Sequence, residues 1–156
     1  MSDAEPIAHT VPLGLELLAT QVFRNRMPSE AQLEHSIMLV EDAIMPMARL
    51  LPTATTLATH DPYLFSVGLH ALGIPESQAT QSLDQPLPAL SREAVEALFD
   101  KLARQAMYPE VPYGDLPQSA PWAAALLILR EVLHHWQIHT LHLWAYSPAN
   151  AEPPKG

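Results

Sequence analysis

Four of the chain's eight histidines stand within nine residues, at His134, His135, His139 and His142, and Glu131 precedes His135 by four positions. Read as helix, the steps of four, four and three from Glu131 through His135 and His139 to His142 place all of them on one flank, because side chains three and four apart meet on a helix surface. Two imidazoles at such a spacing can close on one cation, and the carboxylate supplies a further ligand or an acceptor that fixes an imidazole tautomer. The opposing reading is a polar helix end whose His⁺ side chains simply suit the negative pole of the helix dipole. His134 falls nearer the apolar strip of Leu127 and Ile138 and reads as a buried or interfacial histidine with a hydrogen-bond partner.

The chain has no cysteine. Thiolate zinc sites, iron–sulfur clusters, disulfides and Cys nucleophiles are therefore excluded together, and any divalent metal, whether Zn, Fe, Ni or Mn, must be held by histidine and carboxylate. A site needs ligands from more than one helix. His35, His60 and His70 are the candidate ligands from earlier segments, while Glu34 and Glu41, seven apart beside an apolar stripe, read more simply as a solvated acidic face. A di-iron bundle requires a Glu-x-x-His pair on each of two helices. Glu131 and His134 supply one pair, but Glu34 and Glu41 are followed three residues later by Ile37 and Ile44, so that motif is half present. The His135-x-x-x-His139 pair is similar in spacing to that of DinB-like metal-binding bundles, a resemblance confined to this segment, and it implies a third histidine from an earlier helix.

Other chemistry is poorly supplied. With five glycines the chain carries no phosphate-cradling Gly-rich loop, and it has no Gly-x-Ser-x-Gly or His-Glu-x-x-His motif. Seventeen acids against eight bases leave a net charge of −9, with the bases scattered, so neither nucleic acid nor an anionic membrane surface is an expected partner. The N-terminus lacks the pattern of a signal peptide, and the histidines interrupt the longest uncharged stretch, residues 132–151, which argues against a membrane span. A cytoplasmic location is the expectation.

The elements that must position these residues are helices, cut by 16 prolines. A first helix is predicted over 12–26, stopped by Pro28. Ser29 with Gln32 forms a capping box that opens a second helix, with Leu33, Ile37, Val40, Ile44, Met47 and Leu51 in one stripe. Pro46 should kink or end it near Met45. Residues 52–60 read as a loop. Asp61 before Pro62, and Gly73, bracket a third helix over 62–72. Ser91 caps a fourth, with Val95, Leu98, Phe99 and Leu102 inward, and a last helix starts at Ser119 or Ala120 and runs to about residue 146. That helix is apolar on two faces and is expected to be covered on more than one side. Met38, Met45, Met47 and Met107 read as core filler.

These features predict an all-α, single-domain irregular bundle of about five helices over residues 1–148, with a long, largely buried C-terminal helix, followed by a disordered Pro-rich tail at 149–156. The function expected is that of a small accessory or interaction protein without catalysis of its own. The alternative is a His/carboxylate metal-binding protein, either a metal-dependent enzyme or a metal store or carrier. A doubly apolar final helix favours a homodimer or a protein partner, and light scattering on the eluted protein should give twice the monomer mass; a strict monomer at micromolar concentration contradicts this.

Overall fold

The computed structural model of the chain describes residues 14–49, 57–59, 61–75, 88–111 and 116–143, with backbone alone for 57–59, 142 and 143. The expected all-α class holds. The elements run α1 (Leu15–Leu17), a π-helical segment (Leu18–Val22), α2 (Glu30–Ala48), β1 (Leu57–Thr59), α3 (Pro62–Leu72), β2 (Leu90–Ser91), α4 (Arg92–Met107), α5 (Ala120–His135) and β3 (Thr140–Leu143). The tail at 149–156 and His60 lie outside the described residues.

The capping chemistry acts where the sequence placed it. Ser29 accepts from the Gln32 amide at 3.2 Å while Gln32 Oε1 accepts from the Ser29 amide at 3.0 Å. Asp61 Oδ1 accepts from the Tyr63 and Leu64 amides, Ser91 from Ala94 and Ser119 from Trp122, each satisfying donors that a helix start leaves without intrahelical partners. Gly73, at φ 71°, closes α3 in the left-handed conformation that favours glycine.

Five expectations change. The first helix does not run to residue 26: it widens into π geometry, with the Phe23 amide bonded to the Leu18 carbonyl at 2.8 Å, and the chain turns out of it at Arg24 and Asn25, both left-handed. The wider turn shifts the inward face to Leu18, Ala19 and Phe23 and leaves Leu17 outside. Pro46 does not end α2, which continues to Ala48, because a missing amide so near the end costs a single hydrogen bond. Met38 and Met45 are 64% and 51% exposed rather than core, and Met107 is exposed as well.

The largest change concerns the last helix, which stops at His135 instead of near residue 146. Its end is a Schellman motif: Gln137 sits at φ 54°, the Ile138 amide bonds back to Leu133 at 2.9 Å, the Gln137 amide to His134, and Leu133 and Ile138 are both buried. The chain then forms β3, the central strand of a small sheet ordered β1-β3-β2. β3 runs parallel to β1 with Leu57 opposite Leu141, and antiparallel to β2 with Leu90 opposite the same residue. Residues 57–59 are thus strand, not loop.

α5 is the centre of the core, packed against α2, α3, α4 and the π segment. Trp122, Leu126, Leu127, Leu129 and Leu133 are buried, and Ala123, Ala124 and Ala125 are fully so, which lets neighbouring helices approach closely. Both apolar faces of α5 are therefore covered within the chain. Among the described residues no helix is long and apolar enough to cross a membrane.

Candidate metal centre

α5 places Glu131 and His135 one turn apart at its C-terminal end, and α2 brings Glu41 opposite them. The indole N–H of Trp136 donates to the Ile44 carbonyl at 2.9 Å, fixing the end of α5 against α2 one turn beyond Glu41. His135 Nε2 lies 3.1 Å from Glu41 Oε2 and 3.3 Å from Glu131 Oε1. A carboxylate offers no donor when ionised, so this nitrogen can face two carboxylate oxygens only if it carries a proton or shares a cation with them.

Glu131 is 1% exposed, and its other oxygen accepts from Arg130 Nη1 at 2.6 Å. Arg130 is itself held, with Nε 3.3 Å from both oxygens of Glu96 and its guanidinium carbon 4.7 Å from the centre of the Phe99 ring. Burial works against the Arg130 charge, but the hydrogen bond and charge of Glu131, then those of Glu96, outweigh it and hold the guanidinium above its ordinary range. Arg130 is thus shared between Glu96 and Glu131, while Glu41 and the second oxygen of Glu131 face His135.

The three ligand atoms of Glu41, Glu131 and His135 all lie within 4.8 Å of one another. A metal about 2.0–2.2 Å from nitrogen and oxygen ligands separates neighbouring ligand atoms by about 3.0–3.4 Å in octahedral or tetrahedral geometry. The observed 3.1 and 3.3 Å fall in that interval. With Arg130 occupying Oε2, Glu131 would bind through Oε1 alone.

The remaining sequence candidates are placed elsewhere. Because α5 ends at His135, the four-residue step to His139 is no longer a helical step. His139 is exposed, its carbonyl accepting from the Arg92 amide at 3.1 Å, and it lines a cleft of about 710 Å³ with Arg92, Glu96, Arg130 and His134. His142 has a described backbone in β3, while its side chain lies outside the described residues. His134 is exposed rather than buried, but it has a partner: Arg92 Nη2 lies 2.9 Å from its Nδ1, and since arginine only donates, the proton of a neutral His134 is on Nε2. His35 is exposed on α2, and His70 meets the Trp122 ring edge-on at 5.5 Å. Glu41 is half-buried against His135, while Glu34 is exposed. The available signal was its position between Val40 and Ile44 of the buried stripe.

No family model and no curated protein matches the chain. Among solved structures, the fold is similar to the Ppx/GppA enzyme of Aquifex aeolicus, with a TM-score of 0.62 and 11% identity over 88% of this chain and 45% of that one. Two further Aquifex aeolicus Ppx/GppA structures, one described as the type II variant of the phosphatase, give a TM-score of 0.58 at 12% identity, again over 88% of this chain. At such identity the likeness is one of fold. The chain spans less than half the length of these structures.

Proposed function

We propose that this chain is a metal-binding helical protein that holds one divalent cation between α2 and α5. The observation carrying this reading is the convergence of Glu41, Glu131 and His135 from two helices, with His135 Nε2 3.1 and 3.3 Å from the two carboxylates and all three ligand atoms within 4.8 Å of one another. One imidazole and two carboxylates, in a chain without thiolates, suit a cation of the zinc or manganese kind. The role fits storage or delivery better than catalysis, since Met38 and Met45 flank Glu41 on one exposed stripe of α2, at steps of three and four. That stripe supports the accessory reading as well: an apolar partner surface would lie directly beside the ligands.

Equilibrium dialysis against Zn²⁺ with elemental analysis tests the proposal. One ion per chain is expected, with affinity reduced about tenfold or more in Glu41→Ala and in His135→Ala. Zinc at about 100 times its Kd should stabilise the fold by about 2.7 kcal/mol, raising Tm by about 5–10 °C. Absence of retained zinc together with unchanged melting would reject the metal site and leave the accessory reading.

A further inference from the structure

We infer that the cleft beside Arg24 and Arg26 binds a small molecule pairing a doubly charged oxyanion head with an apolar body. The cleft, of about 710 Å³, lies between the turn after the π segment, the start of α2 and the end of α4, and its size is that of an ordinary small-molecule site. Two of the chain's eight basic residues line it. In a chain of net charge −9, no carboxylate is among its described lining residues.

Arg92 and Arg130 are each engaged by a side chain, whereas neither Arg24 nor Arg26 makes an ion pair or side-chain hydrogen bond among the described residues. The surrounding amides are already ordered. Gln105 and Gln118 bond to each other at 3.1 and 3.4 Å, Gln118 donates to the Leu116 carbonyl, and Gln32 Oε1 caps Ser29, so the cleft keeps its polar walls without a ligand. Phe23, Met27, Pro28, Ala106 and Pro109 supply its apolar lining. Arg24 also occupies, at φ 54°, the helix-ending position where glycine is favoured, so the chain keeps a guanidinium there against its backbone preference.

Two guanidinium forks supply ten N–H donors and two charges, which a phosphate monoester balances and a single carboxylate does not. The apolar lining accounts for the body attached to it. The cleft is separate from the metal centre: Glu41 lies nine residues beyond Gln32 on α2, about 14 Å along the helix axis.

Phenyl phosphate is the probe, titrated calorimetrically into the full chain in the presence of a chelator, so that the outcome is independent of metal binding. Saturable binding with one site per chain is expected, weakening with added salt, and phenol should not compete. Arg26→Gln should weaken binding by about 10- to 100-fold. Arg24→Gly should weaken it similarly while raising Tm by about 2–4 °C, because glycine accepts the left-handed backbone more readily; a loss of binding in a more stable protein cannot be a folding defect. No saturable binding to the unaltered chain, equal binding of phenol, or unchanged affinity in both variants overturns the inference.

Discussion

Glu131→Ala will destabilise the fold by about 2–3 kcal/mol and lower Tm by about 5–10 °C, measured in the presence of a chelator so that no metal contributes. The carboxylate is buried with both oxygens engaged, one by Arg130 at 2.6 Å and one facing His135 at 3.3 Å. Removing one member of a buried ion pair costs about 3–5 kcal/mol when the partner is left without compensation. Arg130 keeps Glu96, and its side chain is 29% exposed, so water recovers part of the loss and the lower value applies. Replacing both partners, Arg130→Met with Glu131→Leu, should be milder than Glu131→Leu alone, since no charge is then stranded. Urea unfolding followed by tryptophan fluorescence is the measurement. A change below about 0.5 kcal/mol for Glu131→Ala would place the residue in the range of surface substitutions and remove the ion pair from the account.

Trp122→Ala should cost more, about 3–5 kcal/mol, as expected for deletion of a fully buried aromatic. Its ring is 2% exposed, lies in the first turn of the central helix and meets His70 from α3 edge-on. In a domain whose total stability is about 5–15 kcal/mol, that loss brings the chain near its unfolding threshold at room temperature. Trp122→Phe should behave differently. The indole nitrogen is buried and has no hydrogen-bond partner among the described residues, so removing it relieves a desolvation cost of about 1–3 kcal/mol that offsets much of the lost volume. A net change within about 1 kcal/mol is expected, and a phenylalanine variant as unstable as the alanine one would contradict the reading of that nitrogen.

The left-handed ends of α3 and α5 show why one was legible and the other not. Gly73 announces the end of α3 because glycine alone adopts φ 71° without steric cost. Gln137 ends α5 at φ 54° in the same Schellman geometry, but glutamine carries no preference for it. Nothing within several residues of Gln137 signals a stop, and the apolar spacing continues past it through Leu141. The same difference governs the site. Glu131 and His135 are legible as a pair because one helical turn joins them, and that turn is present. His139 joins them only if the helix runs on for one more turn, which the Schellman end and the strand after it replace.

The local part of the fold is written in short-range chemistry. Ser29 with Gln32, Asp61 with Pro62, Ser91 and Ser119 each bond to an amide two or three residues away, so residue type and spacing suffice to place those helix starts. Composition likewise confines any metal to histidine and carboxylate, because there is no sulfur ligand of the cysteine kind to compete. The end of α5 and the place of Glu41 in the candidate site were decided by tertiary structure. β3 is satisfied by partners about fifty and eighty residues away in sequence, Leu90 and Leu57 against Leu141. Trp136 reaches across to Ile44, and the register that results is what sets Glu41 beside His135. Pairing of backbone groups so distant along the chain leaves no periodic mark at either end, and so the candidate metal centre could be half read before the fold and completed only by it.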